Sequence, residues 1–228
     1  MKIKNREVKI VKKFKSKRNK VFLVKTDNNK KYVLKSYRKS NFLEKELEII
    51  KKLYKKSVNV PKIISKSNNY ILMEYIKGET LLSYILSKEK EKAKYVELNE
   101  MFQEIFDWLN NFYNVFDEIN IIKGDVNLRN FILKKINGNK IKIYGLDFEN
   151  LKTGDKEEDI GKMCAFIICY KPEFSNWKKD FIKRFFEFMN SKLELNPDLT
   201  CQYYHNELKN IEKRRNLKVK NKIYEILN

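Results

Sequence analysis

Two short segments of the chain concentrate polar side chains between apolar flanks. The first covers residues 124–130 (GDVNLRN) and the second covers residues 145–149 (GLDFE). Asp125 and Asn130 stand five residues apart, so one tight loop can present both to the same cavity. There the carboxylate of Asp125 can accept a proton from a hydroxyl group, while the amide oxygen of Asn130 can bind a hard cation.

Asp147 offers a third oxygen ligand at the far end of a predicted hairpin. The two expected strands, 131–135 and 141–146, flank a turn signal at Asn137-Gly138-Asn139. A hairpin brings its two ends close together, so we expect Asp147 to lie beside Asn130. Carboxylate and amide oxygens, with no His or Cys among them, suit Mg²⁺ that is bound together with substrate phosphates.

The elements that must position these loops fall into a β-rich first part and a largely helical second part. Apolar residues at three- and four-residue steps predict an amphipathic helix over 41–56. Short β-branched or aromatic runs predict strands at 7–14, 20–26, 31–37, 62–66 and 70–76. Further helices are predicted at 80–86, 96–116, 157–170, 177–190, 200–213 and 217–227. The predicted fold class is therefore α+β, with a first domain at 1–76 and a second at 77–228.

The spacing from Asp125 to Asn130, followed by Leu146-Asp147-Phe148, resembles the catalytic loop and metal-binding motif of the aminoglycoside phosphotransferase and choline kinase family. That family belongs to the protein-kinase-like superfamily, and the resemblance extends over residues 7–170. It implies a two-lobed fold with an antiparallel β-rich N-lobe and a helical C-lobe. It also implies ATP or GTP and Mg²⁺ as cofactors, and a small-molecule hydroxyl group as phosphoryl acceptor.

The resemblance implies a role for further residues in the first lobe. Tyr32-Val33-Leu34-Lys35 resembles the strand whose lysine binds the α- and β-phosphates of the nucleotide. The helix that follows resembles the one whose glutamate pairs with that lysine. Its best match here is Glu46, with Glu44 as the second choice.

The segment from Ile71 to Leu81 is similar to the hinge that binds adenine in this family. The resemblance assigns nucleotide contacts there to three residues: Met73, Glu74 and Ile76. The loop at residues 15–20 corresponds to the one that covers the phosphates. We expect it to use Ser16, Asn19 and lysine charge, because it contains no glycine.

Three further positions bear on the resemblance. Lys123 replaces the histidine that usually precedes the Gly-Asp pair, and Glu149 stands where protein kinases have glycine. The second change is common among small-molecule kinases and argues against a switchable activation segment. Asp159 resembles the helix residue that braces the catalytic loop from below.

Composition limits the partners. The 43 Lys and only 7 Arg, set against 30 Asp and Glu, give a formal net charge of +20. The lysines are spread along the chain, which is typical of a solvated lysine surface. A nucleic-acid partner is therefore possible but not favoured. With no apolar run of 18 residues, no signal-peptide pattern and three cysteines in no paired motif, we expect a cytoplasmic protein without a membrane span.

Two alternatives to a small-molecule kinase remain open. One is a small kinase associated with a macromolecule, such as the kinase of the tRNA-modifying complex that threonylcarbamoylates adenosine, which has a similar size and basic charge. The other is a pseudokinase that binds nucleotide without turnover, as Lys123 and the glycine-free loop suggest. The sequence leaves the acceptor and the oligomeric state open.

Overall fold

The computed structural model describes residues 2–3, 6–16, 18–136 and 140–227. The chain forms two compact units. Unit 1 comprises residues 1–77 and 144–149, and unit 2 comprises residues 78–143 and 150–228. The segment 144–149, which the sequence placed in the second domain, thus belongs to unit 1. The predicted turn at Asn137-Gly138-Asn139 lies outside the described residues.

Unit 1 is built on a six-stranded sheet with one helix. Its elements are β1 (Lys2–Ile3), β2 (Arg6–Phe14), β3 (Lys20–Thr26), β4 (Lys31–Ser36), α1 (Ser40–Lys55), β5 (Ile63–Lys66) and β6 (Tyr70–Glu74). The strand order is β1-β2-β3-β4-β6-β5, and all neighbouring strands pair antiparallel. This sheet places β4 at the centre, between β3 and β6.

The helix α1 has one apolar face, and that face determines how it packs. Leu43 and Leu47 are buried in a cluster with Tyr37, Ile71 and Met73. These last three come from the end of β4 and from β6, so the cluster joins the helix to the sheet. Because the apolar positions recur at helical spacing, burying them fixes the rotation of α1 about its own axis.

Unit 2 is mainly helical, with two small sheets. Its elements are β7 (Glu79–Thr80), α2 (Leu81–Lys90), α3 (Asn99–Val115), β8 (Ile121–Ile122), β9 (Phe131–Lys135), β10 (Ile141–Gly145), β11 (Lys152–Thr153), α4 (Lys156–Ile168), α5 (Asn176–Leu193), α6 (Pro197–Arg215) and α7 (Asn221–Tyr224). One sheet has the order β10-β9-β7, with the last two residues of β10 counted in unit 1, and the other pairs β11 with β8. Aromatic packing joins α3 to α5, where the rings of Phe102 and Phe181 meet edge to face at 5.2 Å.

The α+β fold class predicted from the sequence is confirmed: an antiparallel sheet comes first and a helical part follows. The terminal helix predicted over 217–227 is shorter than expected. Asn216 adopts a left-handed φ of 49° and ends α6, and the chain then forms only α7 and a 3-10 turn at Glu225–Leu227. Among the described residues, no helix has the length and apolar character needed to cross a bilayer.

Candidate nucleotide and catalytic site

Lys35 is a buried lysine at the centre of the unit 1 sheet. It lies on β4, where its backbone is in register with Val21 of β3 and Ile71 of β6. Only 7% of its surface is exposed. Its ammonium lies 2.7 Å from Oε2 and 3.1 Å from Oε1 of Glu46 on α1. A lysine is rarely buried to this extent unless it is paired, and here a helix carboxylate provides the pair.

Glu46 is the internal partner, and it has more than one donor. It is 2% exposed, and Tyr37 donates its hydroxyl to Oε2 at 2.6 Å. The backbone N–H of Phe148 donates to Oε1 at 3.3 Å. Glu44, the second choice from the sequence, is instead exposed and pairs with Lys66 at 2.8 Å. Burial, followed by the charge of Glu46, raises the pKa of Tyr37 above its ordinary value, so this tyrosine stays a hydrogen-bond donor.

Two more carboxylates contact the same ammonium from the loop after β10. Lys35 Nζ lies 3.1 Å from Oδ1 of Asp147 and 2.7 Å from Oε1 of Glu149. The side-chain amide of Asn19 donates to the same oxygen of Glu149. Burial alone would lower the pKa of Lys35, but the three surrounding carboxylates outweigh it and the net shift is upward. Lys35 is therefore a fixed positive charge.

The three carboxylates also form an oxygen cluster that could hold a metal ion. Glu46, Asp147 and Glu149 each place one oxygen so that all three lie within 4.8 Å of one another. Asp147 is the most accessible, with 40% of its side chain exposed, and its backbone is in the left-handed region at φ 57°. Hard oxygen ligands of this kind fit Mg²⁺.

The predicted catalytic loop lies in unit 2 and has a tight, internally bonded shape. Asp125 donates its backbone N–H to the carbonyl of Lys123 at 2.8 Å, and its Oδ1 accepts from the backbone N–H of Asn127 at 3.2 Å. The amide of Asn130 donates to the carbonyl of Asp125 at 3.4 Å. Gly124 has a φ of +72°, and a Cβ there would lie 2.5 Å from the carbonyl oxygen of Asn150. The turn before Asp125 therefore requires glycine.

Asp159, near the N-terminus of α4, holds this turn from within. Its buried carboxylate accepts the backbone N–H groups of Lys123 at 2.8 Å and Gly124 at 2.9 Å. The hydroxyl of Tyr113 donates to it at 3.1 Å. Burial raises the pKa of Asp159 to about 6, although the hydrogen bonds oppose the shift. The bracing role implied by the sequence resemblance is thus present.

Lys123, the residue that departs from the resembled family, is itself fully buried. Its ammonium lies over the ring of Phe131, 5.5 Å from the centroid. Its positive charge also lowers the pKa of Asp159, though less than burial raises it. Lys123 is therefore an internal residue of unit 2, like the histidine that it replaces in the resemblance.

The residues that the sequence assigned to the adenine hinge and to the phosphate-covering loop all lie in unit 1. Met73 and Glu74 end β6, and Ile76 is buried just beyond it. The backbone N–H of Glu74 already donates to the carbonyl of Lys62 at 2.9 Å, so a backbone hydrogen bond with adenine would use the Glu74 carbonyl as acceptor. Ser16 is exposed at the chain surface.

The structure therefore brings together two subsets of the predicted site. Lys35, Glu46, Asp147 and Asn19 form one contact network within unit 1, and Asp125 and Asn130 contact each other within unit 2. A shared Mg²⁺ held by Asn130 and Asp147 stays a prediction, as do the binding roles of the individual residues. The sequence reasoning missed Tyr37. Its position two residues after Lys35 was the available signal, since alternate residues of an extended chain share a face.

Similar solved structures support the fold. A structure described as WaaP in complex with acyl carrier protein aligns with a TM-score of 0.59 at 11% identity, covering 93% of this chain and 88% of that one. The BubR1 kinase domain aligns with a TM-score of 0.61 at 14% identity, covering 100% of this chain and 87% of that one. At these identities the likeness concerns the fold alone, which is α+β and kinase-like.

A curated relative and a protein family also match this chain at the level of sequence. The chain is 28% identical over 118 residues to a Dictyostelium discoideum protein described as EKC/KEOPS complex subunit bud32. The match spans 50% of this chain and 45% of that protein, which is less than half of the relative's length. Residues 1–148 match the family described as RIO domain. These findings support the protein-kinase-like superfamily but not the narrower aminoglycoside phosphotransferase and choline kinase family. This chain belongs to the RIO domain family.

Proposed function

We propose that the chain binds a Mg²⁺–nucleotide and transfers its γ-phosphoryl group, and that it does so together with a macromolecular partner. The observation that carries the proposal is the ion pair of Lys35 and Glu46, with Asp147 on the same ammonium. A fixed positive charge beside an accessible carboxylate suits the binding of phosphates and their metal ion.

Each predicted site residue has a distinct role in this proposal. Lys35 binds the α- and β-phosphates and is aligned by Glu46. Asp147 and Asn130 hold Mg²⁺, which when bound neutralises charge on the phosphates. Asp125 accepts a hydrogen bond from the acceptor hydroxyl and takes up its proton, while the Asp159 brace holds the loop that presents it. The protein's contribution is then mainly positioning and electrostatics.

A macromolecular partner is favoured over a small-molecule acceptor for two reasons. The relative described above is named as a subunit of a complex, and the family match is to the RIO domain rather than to small-molecule kinases. The small-molecule acceptor expected from the sequence therefore becomes the second choice.

One observation favours a second candidate function, nucleotide binding without transfer. Glu149 contacts the ammonium of Lys35 at 2.7 Å and is itself bound by Asn19 from the phosphate-covering loop. A nucleotide phosphate would have to displace this carboxylate to reach Lys35. If the displacement is too costly, the protein would bind nucleotide weakly and transfer no phosphoryl group.

The test is transfer of the label from γ-labelled ATP with Mg²⁺. Acceptors are offered in two arms: protein fractions from a cell extract, and a metabolite panel that includes choline, sugars and aminoglycosides. Asp125→Ala should lower transfer on the order of 10²–10⁴-fold, as expected for loss of a positioned base. Asp117→Ala removes an exposed aspartate of the same unit and is the matched control. Label found only in the metabolite arm would refute the macromolecular acceptor, and no label in either arm would favour the binding-only function.

A further inference from the structure

Tyr170, which follows α4 in unit 2, packs against two arginines from different elements. Arg129 belongs to the 3-10 turn after Asp125, and Arg215 is the last residue of α6. Their guanidinium carbons lie 4.9 and 5.4 Å from the centre of the Tyr170 ring. Arg129 Nη1 donates to the tyrosine hydroxyl at 3.0 Å, and Arg215 Nη1 donates to the carbonyl of Cys169 at 3.1 Å. Packing on one ring thus fixes the position of each guanidinium relative to Tyr170.

Arg129 and Tyr170 are connected to the predicted catalytic residue by consecutive hydrogen bonds. The hydroxyl of Tyr170 donates to Oδ1 of Asn127 at 2.8 Å. The backbone N–H of Asn127 donates in turn to the carboxylate of Asp125 at 3.2 Å. The backbone N–H of Arg129 also donates to Asn127 Oδ1, at 3.1 Å. Arg129 and the predicted base are therefore parts of one hydrogen-bonded loop, and Arg215 reaches the same tyrosine from α6.

Neither arginine forms an ion pair within the part of the chain that the structure describes. Across the described ranges, no carboxylate lies within 4.0 Å of either Arg129 or Arg215, and both side chains are exposed. The neighbouring Arg214 differs, since it forms an ion pair with Glu207. Burial raises the pKa of Tyr170, and the charges of the two arginines oppose that shift. An exposed guanidinium without a carboxylate partner can gain a favourable charge interaction by binding an anion.

The residue type is informative because lysine dominates this chain. Only 7 of its 50 basic residues are Arg, yet two of those seven share one tyrosine. Arginine presents a planar fork of donors that matches a carboxylate, whereas lysine is a point charge. Two arginines on one tyrosine beside the Asp125 loop therefore indicate recognition of oxyanion groups rather than general solubility.

We infer that Arg129 and Arg215 bind acidic side chains of a protein segment that docks at the Asp125 loop. The inference rests on the proposed function for its protein partner. Single-stranded nucleic acid fits the site less well, because it needs open aromatic faces and an extended basic track. Here the Tyr170 ring is already covered by the two guanidinium groups.

The test is fluorescence anisotropy of labelled peptides in the absence of nucleotide. One peptide carries a serine flanked by Asp and Glu, a second has Asn and Gln at the same positions, and a labelled RNA oligonucleotide is the third probe. We expect the acidic peptide to bind the wild type, and Arg129→Gln and Arg215→Gln each to weaken that binding about tenfold or more. Lys213→Gln, an equal charge change at an exposed position on α6, should leave the binding nearly unchanged.

Arg129→Lys and Arg215→Lys keep the positive charge but remove the planar guanidinium donors. They should therefore restore only part of the peptide affinity that the glutamine variants lose. Melting temperatures identify any variant that fails to fold. If a glutamine variant does not fold, the peptide affinity of the corresponding lysine variant is compared with the wild type instead. The inference is overturned if the two peptides bind equally, if Lys213→Gln loses as much affinity as the arginine variants, or if RNA rather than peptide binding depends on the two arginines. Because nucleotide is absent, the result stands whatever the outcome of nucleotide titrations.

Discussion

The ammonium of Lys35 on β4 lies 2.7 Å from the carboxylate of Glu46 on α1, and both groups are almost completely buried. The pair joins the central strand to the only helix described in unit 1. It also fixes the position of a positive charge that three carboxylates surround. Removing either partner would leave the other buried charge with fewer contacts.

Glu46→Ala should therefore destabilise the protein substantially. Breaking a buried ion pair by removing one partner costs about 3–5 kcal/mol, and we expect the lower end because Lys35 keeps two other carboxylates. Glu44→Ala removes the exposed pair with Lys66 and should cost about 0.5 kcal/mol or less. Urea unfolding of both variants measures the difference. Equal losses would mean that Glu46 is not the internal partner.

Gly124→Ala should distort the loop that carries Asp125. The new methyl group would meet the carbonyl oxygen of Asn150 at 2.5 Å, and the φ of +72° disfavours any L side chain. We expect a loss of at least about 1–2 kcal/mol of stability and reduced phosphoryl transfer.

The matched control for this change is Gly154→Ala. There φ is not positive, and the nearest atom to the added methyl is a side-chain carbon of Ile122 at 2.9 Å, which can move. Calorimetry of both variants should show the smaller change for Gly154→Ala. A larger loss for Gly154→Ala would contradict the description of the loop.

The buried brace Asp159 should make stability depend on pH. Its pKa is about 6 in the folded protein against an ordinary value of 3.8, so the folded state binds the proton more tightly than the unfolded state. The stabilisation is fully present below pH 4 and is lost as the pH rises through 6. Two pKa units correspond to roughly 3 kcal/mol.

Asp159→Asn removes this titration and provides the comparison. Between pH 4 and pH 7 the wild type should lose stability relative to the variant, by an amount on the order of 3 kcal/mol. Chemical unfolding at a series of pH values gives both curves. A constant difference between them across that range would show that Asp159 does not titrate there.

Much of the fold could be predicted because its larger elements carry strong local patterns. The apolar spacing of α1 and the alternation in β3 and β4 need no knowledge of tertiary contacts. None of the four described two-residue strands was predicted, since a period cannot be read from two residues. Besides β1, these are β7, β8 and β11, which pair with partners far along the chain. Their pairing is decided by contacts distant in sequence, such as Thr80 opposite Ile132.

The candidate site was only partly accessible to sequence reasoning. Lys35 and Glu46 could be matched to each other because motif spacing places one on a strand and the other on the next helix. Glu149 on the ammonium of Lys35, and Arg129 and Arg215 on Tyr170, depend on tertiary placement. In a chain with 43 lysines, charge alone could not single out these groups.

The most direct test of the account is calorimetric titration of a non-hydrolysable ATP analogue, with and without Mg²⁺, into the wild type and two lysine variants. Lys35→Met replaces the buried ammonium, while Lys31→Met changes an exposed lysine on the same strand β4. We predict Mg²⁺-dependent binding to the wild type and to Lys31→Met, and a loss of about tenfold or more in affinity for Lys35→Met. Binding that is absent from the wild type, or equal in the two variants, would contradict the assignment of Lys35 to the nucleotide phosphates.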